Sequence, residues 1–201
     1  MKAIRLIALA ACMAATLDAS AQEQEIRLFS HRGGRMEHDE NTLSAFQASY
    51  DAGYRGFETD IRMTRDGALV ITHDSSLERT TDGTGTVEEK TEAEIRQLAT
   101  KQGNKMMFLD ELLEFLEGKE GLYVEFEMKT KPEALYPEER LHAYCDKLYD
   151  AVMAVKPADA TFVFTSGDYR GLRYLQAKHP GVDLLLITSK PCNDETIDLC
   201  K

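Results

Sequence analysis

The chain has 201 residues, 43% of them apolar and 29% charged, and a formal net charge of −11 at neutral pH. That length allows one domain with a sizeable core or two small ones. The acidic balance argues against nucleic acid or an anionic membrane surface as the main partner, yet leaves a phosphate-bearing substrate open, because a metal ion or an arginine can invert the field locally. Residues 1–21 read as a signal peptide: Lys2 and Arg5 are basic, Leu6 to Leu17 is apolar, and Ala19-Ser20-Ala21 offers small residues for cleavage. The segment is too short for a membrane span, and no transmembrane segment is expected elsewhere. A competing reading makes Leu9-Ala10-Ala11-Cys12 a lipoprotein signal, but the apolar run before Cys12 is about six residues, short against the roughly 7–15 expected. Cleavage after Ala21 is therefore favoured, giving a periplasmic or secreted protein. Of the remaining cysteines, Cys192 and Cys200 could close a small loop and Cys145 reads as free and buried. An odd number without a CxxC step argues against a disulfide framework or a zinc site.

In chain order, IRLFSH (26–31) reads as a short strand ending in a histidine. NTLSAFQASYDAG (41–53) reads as a helix with Asn41 or Thr42 as N-cap, Leu43, Phe46 and Tyr50 on one face, and Gly53 as the stop. FETDI (57–61) is a second strand, Asp66-Gly67 a tight turn, and ALVITHD (68–74) a returning strand. RTTDGTGT (79–86) is a polar loop; Thr91 and Glu94 form a capping box for a helix reaching Leu98; LDELLEFLEG (109–118) is an amphipathic helix. LYVEFEM (122–128) and TFVFTS (161–166) are strands separated by a long helix, PEERLHAYCDKLYDAVMAV (137–155), and DYRGLRYLQAKH (168–179) leads to a last strand, VDLLLIT (182–188). Short apolar strands alternating with helices imply βαβ units and a parallel sheet. Residues 67–118 interrupt that rhythm and read as an insertion after the second strand. No internal repeat or linker divides the chain.

Side chains alternate across a strand. Glu58 and Asp60 therefore share one face of 57–61, and Tyr123, Glu125, Glu127 and Lys129 share one face of the later strand. Carboxylates on a face that a βα sheet buries are costly unless paired or bound to a metal, and Lys129 can neutralise only one of them. Oxygen donors without a Cys or His cluster suit Mg²⁺, Ca²⁺ or Mn²⁺; an exposed face binding nothing is the bland reading of Glu58 and Asp60 alone. His31 and His73 each end a strand beside this group, as a general base and a general acid would near neutral pH. Arg32 and the Gly33-Gly34 backbone could hold a phosphate oxygen. Glu37 and Asp39 read as solvated, His38 as a loop residue, and His142 and His179 as ordinary helix residues.

HRGG (31–34), ENTLSAF (40–46), FETDIRMTRDG (57–67), VITHDSSLERTTDGTG (70–85) and FEMK (126–129), in that order and at those separations, resemble the glycerophosphodiester phosphodiesterase family over about residues 26–190. The resemblance implies a TIM barrel, with one divalent ion, Ca²⁺ or Mg²⁺, held by Glu58, Asp60 and Glu127. It implies His31 and His73 as the acid–base pair, with His31 the base and His73 the acid, and Arg32 with Lys129 on the phosphate. Glu40 and Asn41 match the step that fixes the loop carrying His31. The implied reaction is hydrolysis of a small glycerophosphodiester to glycerol 3-phosphate and an alcohol, by water or by the substrate's own hydroxyl. Related phospholipase-type cleavage of sphingolipid or inositol lipid head groups shares the histidine pair. A TIM barrel needs eight βα units and typically about 250 residues, whereas strands are read here only at 26–31, 57–61, 122–128, 161–166 and 182–188. Residues 22–201 are therefore expected to be the N-terminal part of a barrel domain, truncated after about five strands. An inactive truncated barrel is the alternative of a different class.

Overall fold

The computed structural model describes residues 27–191 and 193–198. The expected signal peptide, Cys12 and the Cys192–Cys200 pair lie outside them. Strand β1 (Phe29–His31) pairs in parallel with β2 (Gly56–Met63), and β2 with β4 (Tyr123–Met128). The parallel ladder continues through β5 (Thr161–Ser166) to β6 (Leu184–Leu186). Helix α1 (Leu43–Asp51) lies between the first two strands, α4 (Glu138–Val155) precedes β5, and α5 (Tyr169–Lys178) precedes β6; α6 (Asp194–Asp198) follows. Apart from the hairpin strand β3 (Leu69–Ile71), the strands stand side by side in chain order. A doubly wound sheet would reverse direction at a switch point; this continuous winding is that of a (β/α)-barrel wall, here with five parallel strands among the described residues.

The alternation read from the sequence decides which side chains meet which layer. Phe57 and Ile61 of β2, Val124, Phe126 and Met128 of β4, and Phe162 and Phe164 of β5 are buried. They form one core with Phe46 of α1, Leu141, Tyr144 and Leu148 of α4, and Leu172 and Leu175 of α5. Each such fully buried side chain contributes roughly 1.5–3 kcal/mol relative to exposure. Glu58, Asp60 and Arg62 of β2 and Glu125 and Glu127 of β4 lie on the opposite face, and every residue of β2 is buried. Helix α1 starts where Thr42 caps Ala45 N–H, and Gly53, at φ +95°, ends it. Of the residues read on one face of the helix, Phe46 is fully buried while Leu43 is 47% exposed and lines a surface pocket with Asn104 and Lys105. Among the described residues no helix is long and apolar enough to cross a membrane.

Between β2 and β4 the chain makes a separate small unit. β3 pairs antiparallel with β2, closed by Gly67 at φ +91° and by Thr64 N–H donating to Ala68 O at 2.9 Å. The strand expected over 68–74 is paired only over Leu69–Ile71. Past it, Thr72 N–H turns to Asp60 O and the His73 carbonyl is taken by Arg62 Nε, so His73 stands in the loop beyond a strand end. Helix α2 (Glu92–Ile95) carries the expected Thr91–Glu94 capping box but stops short of Leu98, where the chain bends to bridge Ala99 to Lys105 and Thr81 to Thr100. Helix α3 (Leu109–Leu116) returns to the barrel wall. Val70, Leu77, Val87, Ile95, Met106 and Phe108 give this unit an apolar cluster of its own.

Candidate active site

At the C-terminal end of β1 the backbone turns sharply, with Arg32 at φ +54°, Gly33 at +74° and Gly34 at +95°. A side chain at Gly33 would put its Cβ 2.9 Å from that of Ala45, so glycine there is required for α1 to approach the turn. The turn is closed by its own backbone: Gly33 N–H donates to Ser30 O and Gly34 N–H to His31 O. Those two N–H groups are spent inside the turn, which corrects the expectation that they cradle a phosphate oxygen. Arg32 N–H donates both to the Glu58 carbonyl at 3.0 Å and to Glu58 Oε2 at 3.1 Å. One N–H thereby ties the residue after His31 to the neighbouring strand's carboxylate. His31 itself is half-exposed, its Nε2 3.5 Å from Glu58 Oε2.

Parallel register sets Glu58 against Glu125 and Asp60 against Glu127. Glu58, Asp60 and Glu127 each bring one carboxylate oxygen within 4.8 Å of the others, the spacing of a group that could hold a metal ion. Asp60 is fully buried. It accepts from Asn41 Nδ2 at 2.9 Å, pairs with Arg32 Nε at 3.2 Å, and pairs with Lys129 Nζ at 3.1 Å. Lys129 also donates to Glu127 Oε1 at 2.6 Å. Among the described residues Glu58 has no cationic side chain so close, and its Oε1 is buried without a hydrogen-bond partner. Burial first, then the charges of Asp60 and Glu127, push the Glu58 carboxyl up to about 8. A hard cation among these oxygens would both fill the missing contact of Oε1 and reverse that field; the donor set fits one. Burial and the Arg32 guanidinium hold the His31 imidazole below its ordinary range.

The second histidine comes from the loop after β3. His73 Nδ1 lies 2.6 Å from Asp74 Oδ1, and Asp74 Oδ2 accepts from Arg79 Nε. Although burial opposes ionisation, the hydrogen bonds from Arg79 and His73 hold the Asp74 carboxyl down at about 2. Arg79 also forks onto Glu40, through one terminal nitrogen to Oε2 at 2.9 Å and the other to Oε1 at 2.7 Å. Glu40 in turn accepts from Arg32 at 3.1 Å, while Asn41, at φ +59°, donates its N–H to Arg32 O. Arg32 is thus almost enclosed between Glu40 and Asp60.

Several of these residues carry no role in the sequence reading. Arg62 continues the two-residue alternation Glu58, Asp60, which was its available signal; it donates to His73 O, Lys129 O and Glu88. Asp74 directly follows a candidate histidine, and Arg79 opens the polar loop, but nothing in the spacing joins them. Asp39, expected to be solvated, is buried and accepts from Asn104 Nδ2 at 2.9 Å and from Thr100 Oγ1, a tie between the β1 turn and the segment after α2.

The model of the glycerophosphoryl diester phosphodiesterase family matches residues 31–198. A glycerophosphodiester phosphodiesterase of Caldanaerobacter subterraneus subsp. tengcongensis is 36% identical over 123 residues, covering 57% of this chain and 50% of that protein. The human glycerophosphodiester phosphodiesterase 1 is 44% identical over 73 residues, 36% of this chain and 22% of that one. The chain thus spans half or less of the length of these curated relatives. Among solved structures, a glycerophosphodiester phosphodiesterase from Agrobacterium tumefaciens superposes with a TM-score of 0.65 at 27% identity, over 80% of this chain and 66% of that one. A phosphodiesterase from Oleispira antarctica, solved in complex with the product sn-glycerol-3-phosphate, gives 0.75 at 24% identity over 87% and 72%.

Proposed function

This chain belongs to the glycerophosphoryl diester phosphodiesterase family, and on that premise we propose that it hydrolyses glycerophosphodiesters to glycerol 3-phosphate and an alcohol. The observation that carries the reading is the buried carboxylate group Glu58, Asp60 and Glu127, with His31 against its rim. Those three acids would hold one divalent cation, Ca²⁺ or Mg²⁺, which when bound offsets the negative charge that develops on the phosphoryl oxygens. Lys129 and Arg32 add fixed positive charge on the same face.

His31 removes the proton from the attacking oxygen as it bonds to phosphorus, that oxygen being water's or, where a cyclic phosphate forms first and water then opens it, the substrate's own hydroxyl. His73 delivers a proton to the alcohol oxygen as the second phosphorus–oxygen bond breaks. An ionised Asp74 can only accept, so Nδ1 of His73 donates to it, and the proton delivered to the alcohol is the one carried on Nε2 of the protonated ring. The test is glycerol 3-phosphate release from glycerophosphocholine and glycerophosphoethanolamine by the full chain, with Ca²⁺, with Mg²⁺ and with EDTA. Metal-dependent release that is lost in His31→Ala is expected. Release indifferent to EDTA would remove the cation from the reading, and release by His31→Ala at the wild-type rate would remove the histidine.

A further inference from the structure

We propose that Arg79 is a positioning residue, holding Asp74, and through it the ring of His73, in fixed relation to the loop that carries His31. The inference rests on the reading of His73 as an acid–base group. His31 and His73 come from segments of different origin, one the end of a barrel strand, the other a loop beyond a three-residue strand. A pair that acts on opposite sides of one phosphorus must keep a constant separation. A continuous chain of polar contacts supplies it. His73 Nδ1 meets Asp74, Asp74 meets Arg79, Arg79 forks onto Glu40, Glu40 holds Arg32, and Arg32 reaches the buried Asp60.

Arg79 is the joint of that chain. Among the described residues it alone touches carboxylates of both segments, and it uses three nitrogens at once: Nε on Asp74 and the two terminal nitrogens on Glu40. Only a guanidinium has that fork; an ammonium is a point charge that reaches one acid or the other. The side chain of Arg79 is 47% exposed and belongs to neither apolar cluster. Its removal should therefore leave the core intact while freeing the Asp74 carboxylate to rotate away from Nδ1. Asp39, bonded to Thr100 and Asn104, still ties the β1 turn to the segment after α2 in its absence, but at a point that does not touch His73.

The experiment compares the full chain with Arg79→Gln and Arg79→Lys, in the presence of whichever divalent ion supports turnover of glycerophosphocholine. Groups that orient metal-ligating histidines typically contribute about 10–100-fold, and by the same logic a loss of that size is expected in kcat for Arg79→Gln, with KM and the melting temperature unchanged and Arg79→Lys recovering only part. In parallel, ¹⁵N–¹H correlation spectra recorded at alkaline pH, with the His73 ring neutral, should show a single Nδ1–H tautomer in wild type and a mixture in Arg79→Gln. An unchanged kcat in Arg79→Gln, full recovery by Arg79→Lys, or an unchanged His73 ring signature overturns the proposal. If the wild-type chain turns over no diester with any ion, the hydrolase reading has failed; the ring spectra then decide the Arg79 inference by themselves.

Discussion

The two halves of the candidate site are built from opposite materials. The carboxylate group sits on β2 and β4 inside a parallel sheet, where a six-residue register fixes Glu58 and Asp60 against Glu125 and Glu127. The His73 half sits in a polar loop, held by ion pairs between side chains that are partly exposed, Arg79 most of all. Backbone ladders place the first group and low dielectric magnifies every charge in it. The second depends on side-chain contacts that water competes for. Damage to the first half should therefore appear in both stability and chemistry, and damage to the second in chemistry alone.

The most severe break is Asp60→Ala. It leaves Arg32, Lys129 and the Asn41 amide without their shared buried carboxylate, and uncompensated buried charge of this kind costs about 3–5 kcal/mol. Chemical denaturation should show that loss together with the disappearance of turnover. A variant as stable as wild type would mean that water already screens the cluster, and the contrast between the halves would collapse. Next comes His73→Ala, expected to lower kcat by about 10²–10⁴-fold, the range for removal of a general acid or base, with the melting curve unmoved. A matching fall in stability would place His73 among the structural residues of the loop.

A third expectation sharpens the electrostatic side. In protein stripped of cations, Glu58 is raised from 4.5 to about 8. Between those values the unfolded chain loses the Glu58 proton while the folded one retains it. The contribution is therefore fully present below about pH 4.5 and is lost as pH climbs through about 8. A bound cation removes the cause by favouring the ionised form. Melting temperatures measured with Mg²⁺ or Ca²⁺ and with EDTA should accordingly diverge as pH rises from 5 to 8. Parallel curves would show that no ion binds at Glu58.

The same contrast explains what the sequence made legible. Glu58, Asp60 and Glu127 could be read because strand alternation is local: acids at every second position between apolar residues declare a polar face, and the apolar partners Phe57, Ile61, Val124 and Phe126 declare the other. Each of the five parallel strands was visible for the same reason, as was the capping box at Thr91. Arg79 and Asp39 were illegible because their partners are remote. Arg79 meets Glu40 across 39 positions, and Asp39 meets Thr100 across 61. Nothing in the residue itself distinguishes a buried Asp39 from the exposed Glu37 two positions before it. The Gly33-Gly34 step misled in a different way: two glycines fit a phosphate cradle and a tight turn equally well, and the hydrogen bonds to Ser30 and His31 chose the turn.

The smallest expected effect tests whether the unit between β2 and β4 can loosen without disturbing the barrel. Thr91 accepts from Glu94 N–H while Glu94 Oε2 accepts from Thr91 N–H, so the box satisfies donors at the start of α2 from both directions. Thr91→Ala removes one side of it at an expected cost of about 1 kcal/mol. Ile95, one residue beyond the box, is buried in the unit's own cluster with Val70 and Phe108, and Phe108 bridges back to Val70 of β3. Loosening there should raise amide exchange across residues 87–98 while exchange in β2 and β4 holds. The kcat should stay at the wild-type value, since Arg62 and Arg79 anchor the His73 loop from outside α2. If Thr91→Ala instead slows turnover, the unit is coupled to the histidine through its apolar cluster, and the ion-pair chain is not what sets the position of His73.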